Sequence, residues 1–273
     1  MALAQRQGEL RARVLTALVI GIPAIAAIQF LPTPAVALLL SVVLIAAVRE
    51  FARLIYRGHG EIYSVSISVL VIVITSWTAQ RPSLTAAVQA IGVVWWLVAA
   101  LWIHLEVAND EQSLFKAVAG VLAFVPAGIA VFAVHGLGEG WLLTLLFIVW
   151  AADIGAYFIG KRFGVKKLAP SISPAKTWAG VVGGMLGGGL VSVAVALMRD
   201  MDIGTGVAFL GVGLLTVAAS ILGDLFESFL KRRAQCKDSG SLLPGHGGVL
   251  DRVDSLLAAA PVFGLGMWLL YPA

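Results

Sequence analysis

Apolar runs close to 20 residues long recur from one end of the chain to the other. A helix needs about 20 mainly apolar residues to cross the hydrocarbon core of a bilayer, so each run is a candidate membrane span. The second run is short and is expected to continue as an amphipathic extension through Phe51 and Tyr56. The sequence therefore predicts an all-α polytopic membrane protein with about nine transmembrane helices, at roughly 13–31, 34–48, 63–79, 84–104, 115–135, 140–160, 178–198, 204–227 and 249–271.

The scarcity of charged residues supports this class. Only 12% of the residues are charged, whereas about 25% are charged in an average soluble domain. The net charge of +4 requires no nucleic-acid partner, because basic cytoplasmic loops and contact with anionic lipid headgroups account for it. The single cysteine, Cys236, excludes an intrachain disulfide bond and a metal site built from several cysteines.

The basic residues predict the orientation of the chain. With nine alternating spans and a cytoplasmic N-terminus, all of the 19 lysines and arginines fall on the cytoplasmic side except Arg81 and Arg199. This asymmetry satisfies the positive-inside rule and places the C-terminus on the opposite side of the membrane. The first run follows Arg6, Arg11 and Arg13, but it lacks a persuasive small-x-small cleavage site and is expected to remain as an uncleaved span.

Two spans carry local signals of packing. In the seventh, Gly180, Gly184 and Gly188 follow the small-xxx-small spacing that allows close helix approach. A phosphate-binding glycine loop is disfavoured there, because no strand precedes these glycines and no Gly-Lys-Ser/Thr sequence ends the run. The fourth span contains three tryptophans that we expect near the membrane interfaces: Trp95, Trp96 and Trp102.

One polar stretch interrupts the apolar pattern. It runs from Ser228 to Asp254 as SFLKRRAQCKDSGSLLPGHGGVLDRVD, and Asp224 lies just before it. Ionisable groups at a membrane are costly, so this density of charge is a functional-site hypothesis. If span eight continues as a helix, Asp224 and Ser228 share one face, and Asp251 and Asp254 lie one turn apart at the start of span nine. Carboxylates from adjacent helix ends suit Mg²⁺, which proteins hold with one or two carboxylates plus substrate phosphates.

A purely structural explanation of these acids stays open at this point. They could pair with neighbouring cations, although so many ion pairs would be a costly way to join two helices. The cations available for such pairs are Arg232, Arg233, Lys237 and Arg252.

Three further segments place polar groups at the same face. The turn from Pro244 to Gly248 can cradle phosphate oxygens with its N–H groups, and His246 is a phosphate donor, a general acid or a hydrogen-bonded loop residue. Lys176 precedes Thr177, a natural N-cap of span seven, and this arrangement suits either an anion or lipid headgroups. Asp153, late in span six, is a substrate ligand or the partner of a loop lysine.

The polar stretch resembles the signature of phosphatidate cytidylyltransferases, also called CDP-diacylglycerol synthases. That signature runs S-x-hydrophobe-K-R, four residues, K-D, a small residue two positions further on, and then P-x-H-G-G-hydrophobe-x-D-R-hydrophobe-D. Ser173 to Thr177 with Gly180, and Gly223-Asp224 to Ser228, resemble two further elements of the family. Every fixed position of the signature is filled, by Ser228, Lys231, Arg232, Lys237, Asp238, Gly240, Pro244, His246, Gly247, Gly248, Asp251, Arg252 and Asp254.

The resemblance covers about residues 145–255 well, whereas residues 1–110 match only as hydrophobic spans. It divides the chain into supporting N-terminal helices, residues 1–110, and a catalytic membrane region, residues 111–273. It implies the reaction of CTP with phosphatidate to give CDP-diacylglycerol and pyrophosphate, with Mg²⁺ and with a second cation left open. It also implies a homodimer surrounded by membrane lipids. The expected location is the bacterial cytoplasmic (inner) membrane, with the site facing the cytoplasm.

The resemblance ties Asp224 and Asp251 to the metal centre. The other roles are our expectations for the mechanism of this reaction, with Ser228 and Asp254 as supporting metal ligands. His246, with Gly247 and Gly248, is expected to contact the leaving pyrophosphate. The catalytic set is Asp224, Asp251, Lys231 and His246. Phosphate charge is expected to be neutralised by Lys176, Lys231, Arg232 and Lys237, and the remaining substrate-binding positions are Ser173, Thr177, Asp238, Arg252 and Asp153.

Two other functions remain possible from the sequence. A CTP-dependent polyprenol or phytol kinase would also use CTP but would transfer its γ-phosphate, so the released product separates the two reactions. A transporter would need acids along a path through the membrane, whereas here they crowd one face. A CDP-alcohol phosphotransferase is disfavoured, because its D-G-x-x-A-R opening does not occur in the chain.

Overall fold

The computed structural model describes residues 21–56, 60–78, 81–105, 113–138, 140–242 and 247–271. Within these ranges the chain forms helices and one short hairpin of two strands. The helices are α1 Gly21–Phe30, α2 Thr33–Ile55, α3 Gly60–Thr78, α4 Pro82–His104, α5 Ser113–Gly136, α6 Trp141–Phe163, α7 Trp178–Met198, α8 Ile203–Arg233 and α9 Leu250–Leu270, and the strands are β1 Lys167–Ala169 and β2 Ser173–Thr177.

The predicted helical membrane class is confirmed. From α2 to α9, each of the eight helices is long and apolar enough to cross a membrane. The described part of α1 is shorter, and the beginning of the predicted first span lies outside the described residues. Helix α2 continues to Ile55, close to the predicted extension through Tyr56. The orientation of the two termini stays a prediction.

The eighth helix is longer than the sequence pattern predicted. It has 31 residues and ends at Arg233 rather than near residue 227. At 1.5 Å per residue it is about 46 Å long, whereas a bilayer hydrocarbon core is about 30 Å thick. Its mainly apolar run ends at Leu222, and charged residues appear from Asp224 onward. In these C-terminal turns the charged residues alternate with core residues, since Phe226 and Phe229 are 1% and 5% exposed.

A β-hairpin replaces the loop expected between spans six and seven. Strands β1 and β2 are antiparallel, with Lys167 opposite Thr177 and Ala169 opposite Ser173. Ile172, in the turn, is 6% exposed and belongs to the hydrophobic core, and its carbonyl accepts a 3.2 Å hydrogen bond from Arg232 Nε. The hairpin therefore packs on the end of α8, which brings β2 beside the charged turns of that helix.

Glycines join α6 to α7 along a seam that the sequence predicted. A Cβ atom on Gly183 would collide with the backbone carbonyl of Gly155, and one on Gly180 would lie 3.2 Å from the carbonyl of Ala156. Small residues let helix backbones approach this closely. The packing role of the glycine run is confirmed. The expectation that no strand precedes the run was wrong, because β2 ends at Thr177, directly before α7, but the run still lacks the Gly-Lys-Ser/Thr ending of a phosphate-binding loop.

The tryptophans of α4 lie in the protein interior, and their expected depth near the membrane interfaces stays a prediction. Trp95 and Trp96 are 4% and 2% exposed, and both pack edge-on against Phe226 of α8. The indole N–H of Trp96 donates a 3.1 Å hydrogen bond to the carbonyl of Leu257 in α9. Aromatic side chains bury large areas when their polar atoms find partners, and this cluster holds α8 and α9 together next to the charged turns.

Candidate active site

Lys176 of strand β2 and Asp224 of helix α8 form a partly exposed ion pair. Lys176 Nζ of β2 lies 2.7 Å from Asp224 Oδ2 of α8, with 22% and 35% of the two side chains exposed. Ser228, one turn further along α8, donates a 3.3 Å hydrogen bond to Asp224 Oδ1. The predicted sharing of one helix face by Asp224 and Ser228 is thus confirmed. We call Lys176 and Asp224 the open pair, because both side chains remain partly accessible.

A second lysine lies deeper and holds two acids. Lys231 Nζ lies 2.8 Å from Glu227 Oε2 and 2.6 Å from Asp251 Oδ1. The exposed fractions of these side chains are 14% for Lys231, 3% for Glu227 and 7% for Asp251. Because Glu227 and Lys231 lie one turn apart on α8 and Asp251 lies in the first turn of α9, this buried triad joins the two helices.

Backbone N–H groups complete the surroundings of Asp251. Its carboxylate accepts hydrogen bonds from the N–H of Gly248 at 2.7 Å and from that of Ser239 at 3.1 Å. Gly247 has φ +82°, a conformation that side chains rarely adopt, and a Cβ there would lie 2.8 Å from Asp251 Oδ2. The loop between α8 and α9 therefore folds around Asp251, and the glycine at position 247 is needed for this turn.

Two more acids lie near the open pair. Asp254, one turn into α9, interacts electrostatically with Asp224 and Lys176, and its Oδ1 accepts a 2.6 Å hydrogen bond from the N–H of Ser255. Asp153 of α6 interacts electrostatically with the same aspartate and lysine. Both acids thus act electrostatically on the open pair, in which Asp224 is the acid in direct contact with Lys176. Helix α6 continues for ten residues beyond Asp153 to Phe163, so this acid lies further from the helix end than the sequence predicted.

The donor set fits an open magnesium site. Its carboxylate and hydroxyl oxygens are the hard ligands that Mg²⁺ prefers. In the described ranges no group of three or more His, Cys, Asp or Glu side chains has the geometry to hold a metal by itself. Mg²⁺ commonly uses one or two protein carboxylates and takes its other ligands from water and substrate phosphates. Asp224 is the best-placed acid for this role, because its carboxylate is partly exposed and lies in contact with both the Ser228 hydroxyl and Lys176.

Several residues that the sequence predicted for the site lie outside these two clusters or have another role in the structure. Thr177 caps α7 as predicted: its Oγ1 accepts a 3.1 Å hydrogen bond from the N–H of Gly180, and the residue is 4% exposed. Arg232 reaches the hairpin turn, as described above. His246 lies outside the described residues. The other predicted substrate-binding positions, Ser173, Lys237, Asp238 and Arg252, flank the site on β2, in the loop after α8 and on α9, and their roles stay predictions.

Cys236 has no catalytic character in this arrangement. It follows α8 in the connecting loop, and burial raises the pKa of its thiol, with Asp251 and Glu227 raising it further against the opposing effect of Lys231. A thiol with a raised pKa is a poor nucleophile at neutral pH, because the reactive form is the thiolate. The raised pKa therefore gives no support to a nucleophilic role for Cys236.

Sequence reasoning missed Glu50. This residue of α2 is 1% exposed, and its Oε2 accepts hydrogen bonds from the N–H of Leu250 at 2.8 Å and from Ser239 Oγ at 3.1 Å. The only local signal is an acid placed among apolar neighbours, Val48 and Phe51, which are both buried. The predicted division at residue 110 stays a prediction, but a side chain from the N-terminal part reaches the site loop.

Comparison with known proteins matches this chain over nearly its whole length. A sequence model described as "Cytidylyltransferase family" matches residues 11–270. A protein named phosphatidate cytidylyltransferase from Pseudomonas aeruginosa is 38% identical over 267 residues, which cover 95% of this chain and 97% of that protein. A protein of the same name from Haemophilus influenzae is 40% identical over 215 residues, which cover 76% of this chain and 71% of that protein.

A shorter and more similar match comes from Brucella suis, whose protein of that name is 48% identical over 124 residues, 45% of each chain. Because both the family model and a relative of nearly equal coverage extend across the helices that carry the open pair and the buried triad, this chain belongs to the cytidylyltransferase family.

Proposed function

We propose that this protein transfers a cytidylyl group from CTP to phosphatidate, giving CDP-diacylglycerol and pyrophosphate. The relatives that match across the chain carry the name of this activity. The observation that carries the proposal is the open pair, in which a partly exposed carboxylate and a lysine lie beside two further acids at the end of a helix bundle. Such a group suits a metal-dependent reaction of phosphates at a membrane.

The proposed reaction joins two anions and needs no strong general base. An oxygen of the phosphatidate phosphate attacks the α-phosphorus of CTP, the new P–O bond forms, and the bond to the departing pyrophosphate breaks. The main barriers are the repulsion between the reactants and their alignment, which cationic groups and fixed positions reduce. Magnesium, when bound, would supply charge neutralisation to the triphosphate and the leaving group.

The residues of this chain divide that task between them. Asp224 is the proposed principal metal ligand, with Ser228 and Asp254 beside it. Lys176 is held by a partly exposed ion pair with Asp224 and by a long, 3.5 Å hydrogen bond to the carbonyl of Ile221, so it can exchange the carboxylate for a substrate phosphate. The metal and clamp roles predicted for Asp251 and Lys231 stay predictions, and the hydrogen bonds that engage both side chains support a positioning role instead.

The membrane setting of the reaction is part of the proposal. The chain is an integral membrane protein by its helices. We place it in the bacterial inner membrane with the open pair toward the cytoplasm, where CTP is available, since the basic residues follow the positive-inside rule. Phosphatidate would enter from the bilayer with its acyl chains left among the helices. A homodimer is the proposed assembly, in keeping with the family resemblance.

Product analysis tests the reaction directly. Purified protein is incubated with phosphatidate, Mg²⁺ and CTP labelled in either the α- or the γ-phosphate. Cytidylyl transfer puts the α label into a lipid and releases the γ label as pyrophosphate. A parallel reaction supplies polyprenol or phytol instead of phosphatidate, and label from the γ-phosphate in that lipid, with CDP released, would identify a lipid kinase. No labelled lipid from either labelled CTP in the phosphatidate reaction would reject cytidylyl transfer.

Labelling in vesicles tests the proposed orientation. In a Cys236→Ala background, Ser241→Cys marks the site loop and Ile203→Cys marks the opposite end of α8, where the side chain is 88% exposed. A membrane-impermeant maleimide applied to inside-out vesicles should modify the first variant and spare the second. Labelling of Ile203→Cys and protection of Ser241→Cys would overturn the cytoplasmic placement of the site. That result would leave the proposed reaction unaffected.

A further inference from the structure

The N-terminus of α9 has no capping side chain of its own. Val249, at the N-cap position, makes no side-chain hydrogen bond to the first turn. The first N–H groups of a helix have no partner within the helix, so they need acceptors from elsewhere. The N–H of Leu250 donates instead to Glu50 Oε2 at 2.8 Å, from a residue 200 positions earlier in the chain. A carboxylate at this end of a helix also has a favourable interaction with the helix dipole.

The same oxygen of Glu50 holds the other end of the loop. Ser239 donates from its hydroxyl to Glu50 Oε2 at 3.1 Å and from its backbone N–H to Asp251 Oδ2 at 3.1 Å. Ser239 is 7% exposed and therefore lies inside the protein. One carboxylate oxygen thus connects the part of the loop that follows α8 to the first residue of α9, and through Ser239 it connects to Asp251.

Two glycines of the α8–α9 loop leave space for the Glu50 carboxylate. A Cβ atom on either Gly240 or Gly248 would collide with the carboxylate of Glu50. Glu50 is 1% exposed, and burial of a carboxylate is costly unless hydrogen bonds compensate for it. Its Oε1 has no hydrogen-bond partner among the residues that the structure describes. The Glu50 carboxylate is costly to bury and is enclosed by two glycines, and a role in positioning the loop explains both observations.

We propose that Glu50 is a positioning residue of the active site, which caps α9 from α2 and holds both ends of the α8–α9 loop. Through Ser239 and Leu250 it fixes the place of Asp251, and with Asp251 the buried triad that joins α8 to α9. This role rests on the proposed cytidylyl transfer. The N-terminal helices then contribute to the catalytic geometry and do not serve only as supporting spans.

Three variants test this role in the full-length protein. Glu50→Ala should lower kcat by about 10- to 100-fold, because a misplaced site loses alignment of the reactants. Glu50→Gln retains an acceptor for the N–H of Leu250 and should restore most of the turnover. Glu61→Ala removes an acid of the adjacent helix α3 whose side chain is 61% exposed, and it should leave kcat unchanged. Wild-type turnover in folded Glu50→Ala would overturn the proposal.

A double-mutant cycle with Ser239→Ala tests the connection itself. If Glu50 acts through Ser239, the loss of turnover in the double variant will be smaller than the product of the two single losses, since contacting residues are not additive. Independent effects would contradict the proposed path. Should Glu50→Ala fail to fold, Glu50→Gln and Ser239→Ala still provide the comparison, with Ser239→Ala expected to lower kcat in a folded protein.

Hydrogen exchange separates this proposal from the proposed function. Amide exchange at residues 239–242 and 247–250 should accelerate in Glu50→Ala and keep its wild-type rate in Glu61→Ala, whatever reaction the protein catalyses. If the wild-type protein forms no liponucleotide, the cytidylyl-transfer proposal fails. If it does form one, and exchange in this segment is unchanged in Glu50→Ala, only the positioning role fails.

Discussion

The two lysines of the site have opposite surroundings. Lys176 contacts one carboxylate, and 22% of the lysine and 35% of the acid side chain are exposed. Lys231 contacts two carboxylates that are 3% and 7% exposed. An exposed ion pair contributes little to stability and can open at small cost, whereas removal of one member of a buried group leaves an uncompensated charge. The open pair is therefore suited to exchange partners during a reaction, and the buried triad is suited to hold α8 and α9 in place.

The largest expected effect concerns the buried triad. Lys231→Ala leaves Glu227 and Asp251 as neighbouring buried carboxylates, and we expect the protein to lose about 3–5 kcal/mol of stability. The measurement is thermal unfolding of the purified protein in detergent. Lys237→Ala is the matched control, because that lysine is exposed in the loop after α8 and should change stability by less than about 0.5 kcal/mol. Equal unfolding temperatures for the two variants would remove the distinction between the two lysines.

Local features of the site could be predicted from the sequence, and its long-range contacts could not. The pairing of Asp224 with Ser228 and the cap of Thr177 on α7 depend on spacings of three or four residues, and both are confirmed. The contact between Glu50 and Leu250 joins positions 200 residues apart, so no local pattern predicts it. The β-hairpin is a local element that the sequence also failed to predict. Pro174 lies within β2, Pro170 directly follows β1, and neither short strand has an alternating apolar pattern.

The second prediction concerns the acid of the open pair. Asp224→Asn keeps the size of the side chain but removes its charge, so turnover should fall by about 100-fold or more while stability changes little. Initial rates over a series of Mg²⁺ concentrations check this result, and excess Mg²⁺ should restore part of the activity. Asp200→Asn, an exposed acid beyond the far end of α7, is the control for loss of charge. Near-wild-type turnover of Asp224→Asn at limiting Mg²⁺ would contradict the metal role.

The third prediction concerns the lysine of the open pair. Lys176→Ala should raise KM for CTP or phosphatidate by about tenfold, which corresponds to the loss of one charged contact with a phosphate. Its stability should change by less than about 1 kcal/mol, because the ion pair is partly exposed. Lys167→Ala, on the other strand of the same hairpin, should change neither quantity. Destabilisation as large as that of Lys231→Ala would show that the open pair is also a structural contact.

The smallest expected effect separates Lys176 from the helix end beside it. Thr177→Ala removes the cap of α7 and should cost about 1 kcal/mol of stability, whereas Thr177→Ser keeps the accepting oxygen and most of that stability. Neither variant should raise KM as far as Lys176→Ala does, because the cap bonds Gly180 and the substrate contact belongs to the lysine. Unfolding temperatures and KM values of the three variants check this order. Suppose instead that Thr177→Ala raised KM as strongly as Lys176→Ala without loss of stability. The Thr177 hydroxyl would then have to bind substrate directly, which we do not expect of a residue that is 4% exposed.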